Sequence, residues 1–185
     1  MSEELMIREA SPTLAGIKTG SLFSCPYESK DEMMDEIREL NHCLVKKGLC
    51  LLPLRFREAR VLLYLFRPSF LERDLTDRKA REILAKAGYR QEGFRRCLTE
   101  LVRRINSSDC KTFPHEIGLF LSYPPEDVKG FIEHHAAGSK MTGCWKVYGD
   151  VSEARKRFDA YEKCTKAYRR MLADGKSVLQ LAVSG

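Results

Sequence analysis

The sequence lacks the features that mark secreted, membrane and metal-cluster proteins. It contains seven cysteines but no Cys-x-x-Cys pair, and their even spread is not the spacing of zinc ribbons or iron–sulfur sites. No apolar run is long enough to cross a bilayer, because arginine or proline interrupts each one within about ten residues. The acidic, amphipathic start MSEELMIREA differs from a basic and apolar signal peptide. We therefore expect a cytoplasmic protein whose cysteines are reduced and mostly buried.

Nucleotide-binding and metal-binding patterns are also missing. The loop around Lys18, with Gly16 and Gly20, precedes an apolar segment but lacks the Gly-Lys-Ser/Thr ending of a phosphate-binding loop. His134 and His135 are adjacent, so on a helix they point about 100° apart and do not chelate one ion together. The sequence therefore predicts no metal site, and it does not identify a cofactor.

What is present is the composition of an ordinary globular protein. The chain has 185 residues, of which 43% are hydrophobic and 31% charged, enough for one domain with a full core. The apolar patterns predict a single α+β domain over residues 1–185, with a mixed sheet of about four or five strands packed with helices. Residues 176–185 are expected to form a loose tail or a weakly docked strand.

Two patterns predict supersecondary structure. Apolar runs at Leu49–Phe56 and Arg60–Phe66, separated by a short charged connection, predict an antiparallel hairpin. Pro53 places the first of these strands at an edge or a bulge. The helical spacing of Thr76–Ala87 and Gln91–Ile105 predicts an αα-hairpin that carries most of the arginines.

Other helices are indicated by their end signals. A short helix at Glu3–Ala10 is expected to break at Pro12. Ser29 begins a helix that Gly48 ends. The last helix is expected to begin after Asp150, a capping residue that precedes a long amphipathic stretch.

The stretch Phe113–Phe131 combines more chemistry than any other. Ile117–Tyr123 is a short apolar run bounded by prolines, which predicts a buried strand. Gly118 inside it marks a bulge or a close approach to the backbone. Pro124 and Pro125 are typical of a helix start, so the stretch is interpreted as strand, sharp turn and helix.

His115 and Glu116 are the candidate catalytic residues within this stretch. Either could serve as a general acid or base, although strand alternation would send them to opposite faces. The alternative is structural, with the imidazole bonded to a carbonyl and the carboxylate paired with an arginine. A cysteine nucleophile beside His115, or a site that joins it to Cys110 and Cys144, would have to be assembled by the fold.

Three separated motifs carry a family resemblance. They are FPHEIGLFLSYPPEDVKGFI from Phe113 to Ile132, GCWKVYGD from Gly143 to Asp150, and SPTLAGIKTGSLFSC from Ser11 to Cys25. With the spacing of four later residues (Phe158, Tyr161, Cys164 and Tyr168), they resemble an uncharacterised bacterial domain-of-unknown-function family, seen mostly in anaerobic Firmicutes. Two positions depart from its pattern: Ser122 stands where glycine is expected, and Cys144 where an aromatic residue is expected.

The resemblance transfers no activity, so function is inferred from the residues within its motifs. We predict a small-molecule or cofactor-binding domain, and the sequence leaves open whether it is an enzyme. Polar and aromatic residues at turns and strand ends are typical of sites. The candidate ligand-binding residues, which would hold an anionic group and stack on a ring, are Lys18, Tyr123, Trp145, Lys146 and Tyr148.

A basic surface supports an alternative function. Between Arg55 and Arg104 there are fourteen lysines and arginines against seven acidic residues. The helical hairpin at residues 77–105 could therefore dock an acidic protein partner or nucleic acid. Nucleic acid is the less favoured partner, because aromatic and basic residues do not alternate as in RNA-binding sheets.

Overall fold

The computed structural model describes residues 1–90, 92–107 and 113–185. These residues form helices and strands in an α+β arrangement, which confirms the predicted class. They divide into unit 1, Met1–Ser69 with Tyr161–Gly185, and unit 2, Phe70–Ala160. The α-helices are α1 (Glu3–Leu14), α2 (Lys30–Leu44), α3 (Pro68–Thr76), α4 (Arg78–Lys86), α5 (Phe94–Asn106), α6 (Ile117–Phe120), α7 (Pro125–His134), α8 (Val151–Ala173) and α9 (Val178–Leu181).

The strands lie in two small antiparallel sheets and do not form one mixed sheet. They are β1 (Gly20–Pro26), β2 (Cys50–Arg57), β3 (Arg60–Phe66), β4 (Met141–Thr142) and β5 (Lys146–Val147). In unit 1 the order is β1-β3-β2, so β2 is an edge strand. The register shifts between Pro53 and Arg55. Both the hairpin and the edge position of its proline were predicted correctly.

Unit 1 packs α1 against β1 and α2 against β2. The helix α1 runs through Pro12 to Leu14, so the predicted end at Ala10 is wrong. Proline removes only the bond to the carbonyl of Arg8, an exposed residue whose carbonyl water can satisfy. The burial of the following turn, including Leu14, stabilises the extra helical residues.

A buried arginine fastens the C-terminal tail to unit 1. The Arg67 guanidinium is 1% exposed and donates to the carbonyls of Thr13, Leu14 and Val183 at 2.7–2.9 Å. Burial lowers its pKa. Lys47 also donates to the tail, at the Ala182 carbonyl. The tail is therefore docked by hydrogen bonds and contains the short helix α9, contrary to the expected loose tail or weak strand.

The remaining helix boundaries mostly follow their end signals. Ser29 accepts from the Glu32 amide, and Gly48 is left-handed after a short 3-10 turn. Asp77, and not Thr76, caps α4. Gln91, the predicted start of the next helix, lies outside the described residues, and α5 begins at Phe94.

The cysteines are less uniformly buried than predicted. Cys25 and Cys97 are buried, whereas Cys43 and Cys144 are exposed. Cys110 lies outside the described residues. Among the helices of the described ranges, none has the length and apolar character needed to span a bilayer.

Candidate functional site

The predicted strand Ile117–Tyr123 is wrong, because its first part forms the short helix α6. The amides of Ile117, Gly118 and Leu119 each bond a carbonyl three residues earlier. All four residues of α6 are buried. A short run that is apolar on every side fits a buried helical turn as well as a buried strand, so periodicity does not separate the two.

Ser122 ends α6 in a left-handed conformation. Its φ is 58°, its amide bonds the Leu119 carbonyl at 3.3 Å, and the Tyr123 amide bonds the Gly118 carbonyl at 2.9 Å. These two bonds define a Schellman motif, whose left-handed position is usually glycine. The turn brings the Tyr123 ring against Gly118, where an added Cβ would lie 3.0 Å from Tyr123 Cδ2.

Asp127, in the first turn of α7, ties this region to the second sheet. The carboxylate is 2% exposed. Its Oδ2 accepts from the Trp145 indole nitrogen, and its Oδ1 accepts from the Tyr148 and Gly149 amides, each at 2.7 Å. The segment Gly143–Tyr148, part of one of the three family motifs, contains β5, the second strand of a short β4–β5 hairpin.

These elements enclose a cavity of about 280 Å³, here called the aromatic cavity. Four of the seven candidate site residues line it: His115, Tyr123, Trp145 and Lys146. They come from two segments, 115–123 and 145–146, that are separated by about twenty positions in the sequence. The other lining residues are Ile117, Gly118, Asp127, Val128 and Phe131.

Aromatic contacts hold the walls of the aromatic cavity together. Tyr123 stacks on Trp145 with ring centroids 4.8 Å apart, and Phe158 meets Trp145 edge-on at 4.4 Å. His115 meets Phe131 edge-on at 4.9 Å. Such offset and edge-on pairs are the favourable arrangements of aromatic rings, so they hold the Trp145 ring in place at the cavity wall.

The ionisable groups of the aromatic cavity differ in how they are satisfied. Both oxygens of Asp127 are occupied by donors. His115 and Lys146 are half-buried, and neither side chain makes a hydrogen bond or ion pair with another residue in the part of the chain that the structure describes. The Lys146 ammonium and the His115 imidazole are therefore available to bond a molecule that enters the aromatic cavity.

Glu116 belongs to a different network. It is 7% exposed, accepts from the Tyr89 hydroxyl at 3.0 Å, and pairs with Arg104 at 3.4 Å. Burial, and then the adjacent Glu116 charge, raise the pKa of Tyr89 well above its ordinary value. These contacts match the structural alternative for Glu116, a carboxylate paired with an arginine.

A second cavity of about 630 Å³ lies between α4 and α7 and is here called the α4–α7 groove. His115 lines both this groove and the aromatic cavity, so the two spaces adjoin. Because α6 is not a strand, alternation does not separate His115 from Glu116, and both line the groove. The other residues around it are Lys79, Glu82, Ile83, Lys86, Ala87, Arg104, Phe113, Pro114, Pro125, Glu126, Lys129, Ile132 and Glu133.

Lys18 and Tyr148 are placed elsewhere. Lys18 belongs to unit 1, where its ammonium lies 5.7 Å from the centre of the Tyr161 ring. Tyr148 packs its ring over Gly130 and donates its hydroxyl to the His135 carbonyl. A role for either residue in ligand binding stays a prediction.

The arginines of the helical hairpin are largely paired with acidic residues of unit 2. Arg103 and Arg104 both bind Glu100, and Arg96 lies 3.6 Å from Glu92. Hydrogen bonds from Arg103, followed by those from Arg104, lower the pKa of Glu100 to about 2. This pairing reduces the positive charge that the hairpin can offer an acidic partner or nucleic acid.

Within the described ranges, no three histidine, cysteine or acidic side chains come close enough together to hold a metal ion. The ring centres of His115 and His135 are 5.8 Å apart, and Cys144 is exposed. The donors found at the aromatic cavity suit hydrogen bonding and anion binding better than metal coordination.

Sequence reasoning missed Asp127 and Phe131. Both residues lie in the helix expected after Pro124 and Pro125, and neither was among the candidate site residues. The available signal for Asp127 was its position in the first turn of a helix, where a carboxylate accepts backbone and side-chain donors well. The direction of that side chain toward Trp145 is set by tertiary structure.

The molecule is thus an α+β protein with an aromatic cavity and an adjoining groove in unit 2. The chain belongs to the family described as protein of unknown function DUF3793, whose model matches residues 6–182. This match confirms membership of a domain-of-unknown-function family, while its bacterial range stays a prediction. Comparison with curated proteins gave no match, and comparison with solved structures gave none either.

Proposed function

We propose that this protein binds a small planar acid in the aromatic cavity. The observation that carries the proposal is the pair of half-buried polar groups, His115 and Lys146, that line the cavity without a partner among the described residues. Buried polar groups in folded proteins usually have partners, and half-buried groups bond water or a ligand. The His115 and Lys146 side chains can therefore bond a ligand that replaces their water in the aromatic cavity.

The charges of the cavity favour an anion. Three N–H donors already occupy both oxygens of Asp127, so this carboxylate is stabilised within the protein without an ion pair to Lys146. Lys146 contributes a cation that is not neutralised by a nearby carboxylate of the described residues. A carboxylate ligand would pair with this ammonium, and His115 would donate to or accept from the ligand according to its protonation.

The walls and the volume favour a single ring. Tyr123, Phe131 and Trp145 give the cavity flat apolar surfaces, against which an aromatic ring packs well. Its 280 Å³ lies just below the roughly 300–1,000 Å³ range of ligand pockets. One ring with a carboxylate substituent matches both the shape and the charge.

Trp145 provides a direct assay because it is the only tryptophan in the chain. Benzoate is titrated while the Trp145 emission is recorded, and benzamide serves as the neutral compound of the same shape. We expect benzoate to change the emission at lower concentration than benzamide, because only the acid pairs with Lys146. The Lys146→Met variant should bind the two compounds equally.

The matched control is Lys163→Met, which removes an exposed lysine of unit 1 and should leave benzoate binding unchanged. Nuclear magnetic resonance shifts of the His115 ring protons give an independent readout. Unchanged Trp145 emission and unchanged His115 shifts in saturating benzoate would contradict the proposal. Equal affinity for acid and amide in the unmodified protein would contradict its electrostatic part.

A further inference from the structure

The α4–α7 groove adjoins the aromatic cavity through a shared residue. His115 belongs to both linings, so the two spaces lie against the same residue. The groove, at about 630 Å³, is within the usual range of ligand pockets. A substituent on a ring in the aromatic cavity would enter the groove past the His115 side chain.

The groove has an apolar lining that is open to solvent. Ile83, Ala87, Phe113, Pro114 and Ile132 all line it. Two of them are large hydrophobic residues with substantial exposure, Phe113 at 38% and Ile132 at 36%. Contiguous exposed apolar surface in a concave site is typical of a binding surface, because covering it removes that area from water.

The charges around the groove are mostly satisfied within the protein. Lys79 pairs with Glu126 at 3.8 Å, Lys129 with Glu133 at 3.9 Å, and Arg104 with Glu116 at 3.4 Å. Glu82 pairs with Arg78. Lys86 is exposed at the end of α4, where a cation complements the helix dipole. The lining carries four basic and four acidic side chains, so its formal charges balance and favour an uncharged occupant.

We infer that the ligand is an aromatic acid with an aliphatic substituent, and that this substituent lies in the α4–α7 groove. The inference rests on the proposed function, since the aromatic acid group is the part held in the aromatic cavity. The acid end pairs with Lys146, and the aliphatic part covers Phe113 and Ile132. The chemical class is an amphipathic alkyl-substituted aromatic carboxylate.

A homologous series of probes tests this inference. Benzoate and its para-ethyl, para-butyl and para-hexyl derivatives are titrated against the full chain, with Trp145 emission as the signal. Each methylene that enters the groove should tighten binding by up to about fourfold, the ratio that corresponds to ~0.8 kcal/mol per buried CH₂. The affinity of benzoate itself reports on the aromatic cavity, and the gain per methylene reports on the groove.

Two groove variants separate the groove from the aromatic cavity. Ile132→Gln and, independently, Phe113→Gln should reduce the gain per methylene and leave the affinity for benzoate unchanged. The control Ile17→Gln alters an apolar residue of unit 1 that is 47% exposed. It should change neither the affinity for benzoate nor the gain per methylene. Lys146→Met should weaken all four probes by a similar factor, because the acid group is common to them.

The possible results distinguish the two proposals. Benzoate binding that depends on Lys146 but does not improve with chain length would overturn the groove inference and leave the proposed function standing. Loss of benzoate binding altogether would overturn both. Sedimentation velocity adds a further test: a dimer of the unliganded chain that Ile132→Gln dissociates would assign the groove to a second copy of the protein and overturn the aliphatic assignment.

Discussion

Replacing Asp127 with asparagine tests whether the carboxylate fixes the wall of the aromatic cavity. In the folded protein its Oδ1 accepts two backbone amides and its Oδ2 accepts the Trp145 indole N–H. Asparagine has a single oxygen, which would keep the two amides. Its NH₂ group would then face the indole N–H, so two donors would meet where a donor and a carboxylate meet now.

The loss of stability expected for Asp127→Asn follows from these contacts. A hydrogen bond to a charged group contributes about 1.5–3 kcal/mol, and an unsatisfied buried donor costs about 1–3 kcal/mol. Asp127 is 2% exposed, so water does not replace the lost bond. We expect Asp127→Asn to lower the free energy of unfolding by about 3 kcal/mol and to shift the Trp145 emission, since the indole loses its acceptor.

A double-mutant cycle with Trp145→Phe isolates the indole contact. Phenylalanine has no N–H to face the asparagine NH₂, so the double variant should be more stable than the sum of the two single changes predicts. We expect a coupling of about 1.5 kcal/mol. Urea unfolding followed by far-ultraviolet circular dichroism measures all four proteins, because two of them contain no tryptophan.

The control is Asp159→Asn, an exposed aspartate on α8, which should change the free energy of unfolding by less than about 0.5 kcal/mol. Additive effects of the two single changes would refute the assigned hydrogen bond. An Asp127→Asn protein with unaltered stability and emission would refute the positioning role of the carboxylate.

Two further predictions concern Ser122 and Glu100. Ser122→Gly should raise the free energy of unfolding by about 1 kcal/mol and the Tm by about 2–4 °C. Glycine adopts the left-handed conformation without strain, and it removes a hydroxyl that is buried without a partner in the described protein. These two gains outweigh the greater conformational entropy that glycine loses on folding. Glu100, whose pKa is about 2, should contribute about 1–2 kcal/mol above pH ~4.3 and lose it as the pH falls towards 2. Urea unfolding of Glu100→Gln at a series of pH values should therefore show its difference from the unmodified protein narrowing in acid.

These two predictions have separate controls. Ser122→Ala keeps the Cβ but removes the hydroxyl, so it should recover only the part of the stability gain that comes from the unsatisfied oxygen. A glycine variant less stable than the alanine variant would contradict the strain argument. A pH-independent difference for Glu100→Gln would show that its carboxylate is not held by Arg103 and Arg104 in the folded state.

Sequence patterns correctly predicted the elements whose structure is determined by residues close together in the chain. The β2–β3 hairpin follows from two apolar runs with a short connection, and Pro53 correctly indicated an edge strand with a register shift. Ser29 and Gly48 mark the start and end of α2 and its 3-10 extension because capping bonds involve residues only a few positions apart. The family pattern of glycine at the position of Ser122 agrees with its left-handed φ of 58°.

The elements that were predicted wrongly depend on distant contacts. Residues Ile117–Phe120 are buried on every side, so their sequence carries no periodicity that separates helix from strand. The tail was expected to be loose or to form a weakly docked strand. Its docking depends on Arg67, which reaches the Val183 carbonyl from 116 positions away.

The aromatic cavity shows how a site can be anticipated in part from sequence. Tyr123, Trp145 and Lys146 stood out because aromatic and basic residues at turns and strand ends are typical of binding sites, and all three line the aromatic cavity. Asp127 did not stand out, because an acidic residue at a helix start already has a local explanation. Its second role, holding the Trp145 indole, exists only once α7 and β5 have packed together. The residues that would contact a ligand can therefore be recognised in the sequence by their residue type and position. Asp127, which positions Trp145, cannot be recognised in this way, because its place at a helix start already explains an acidic residue there.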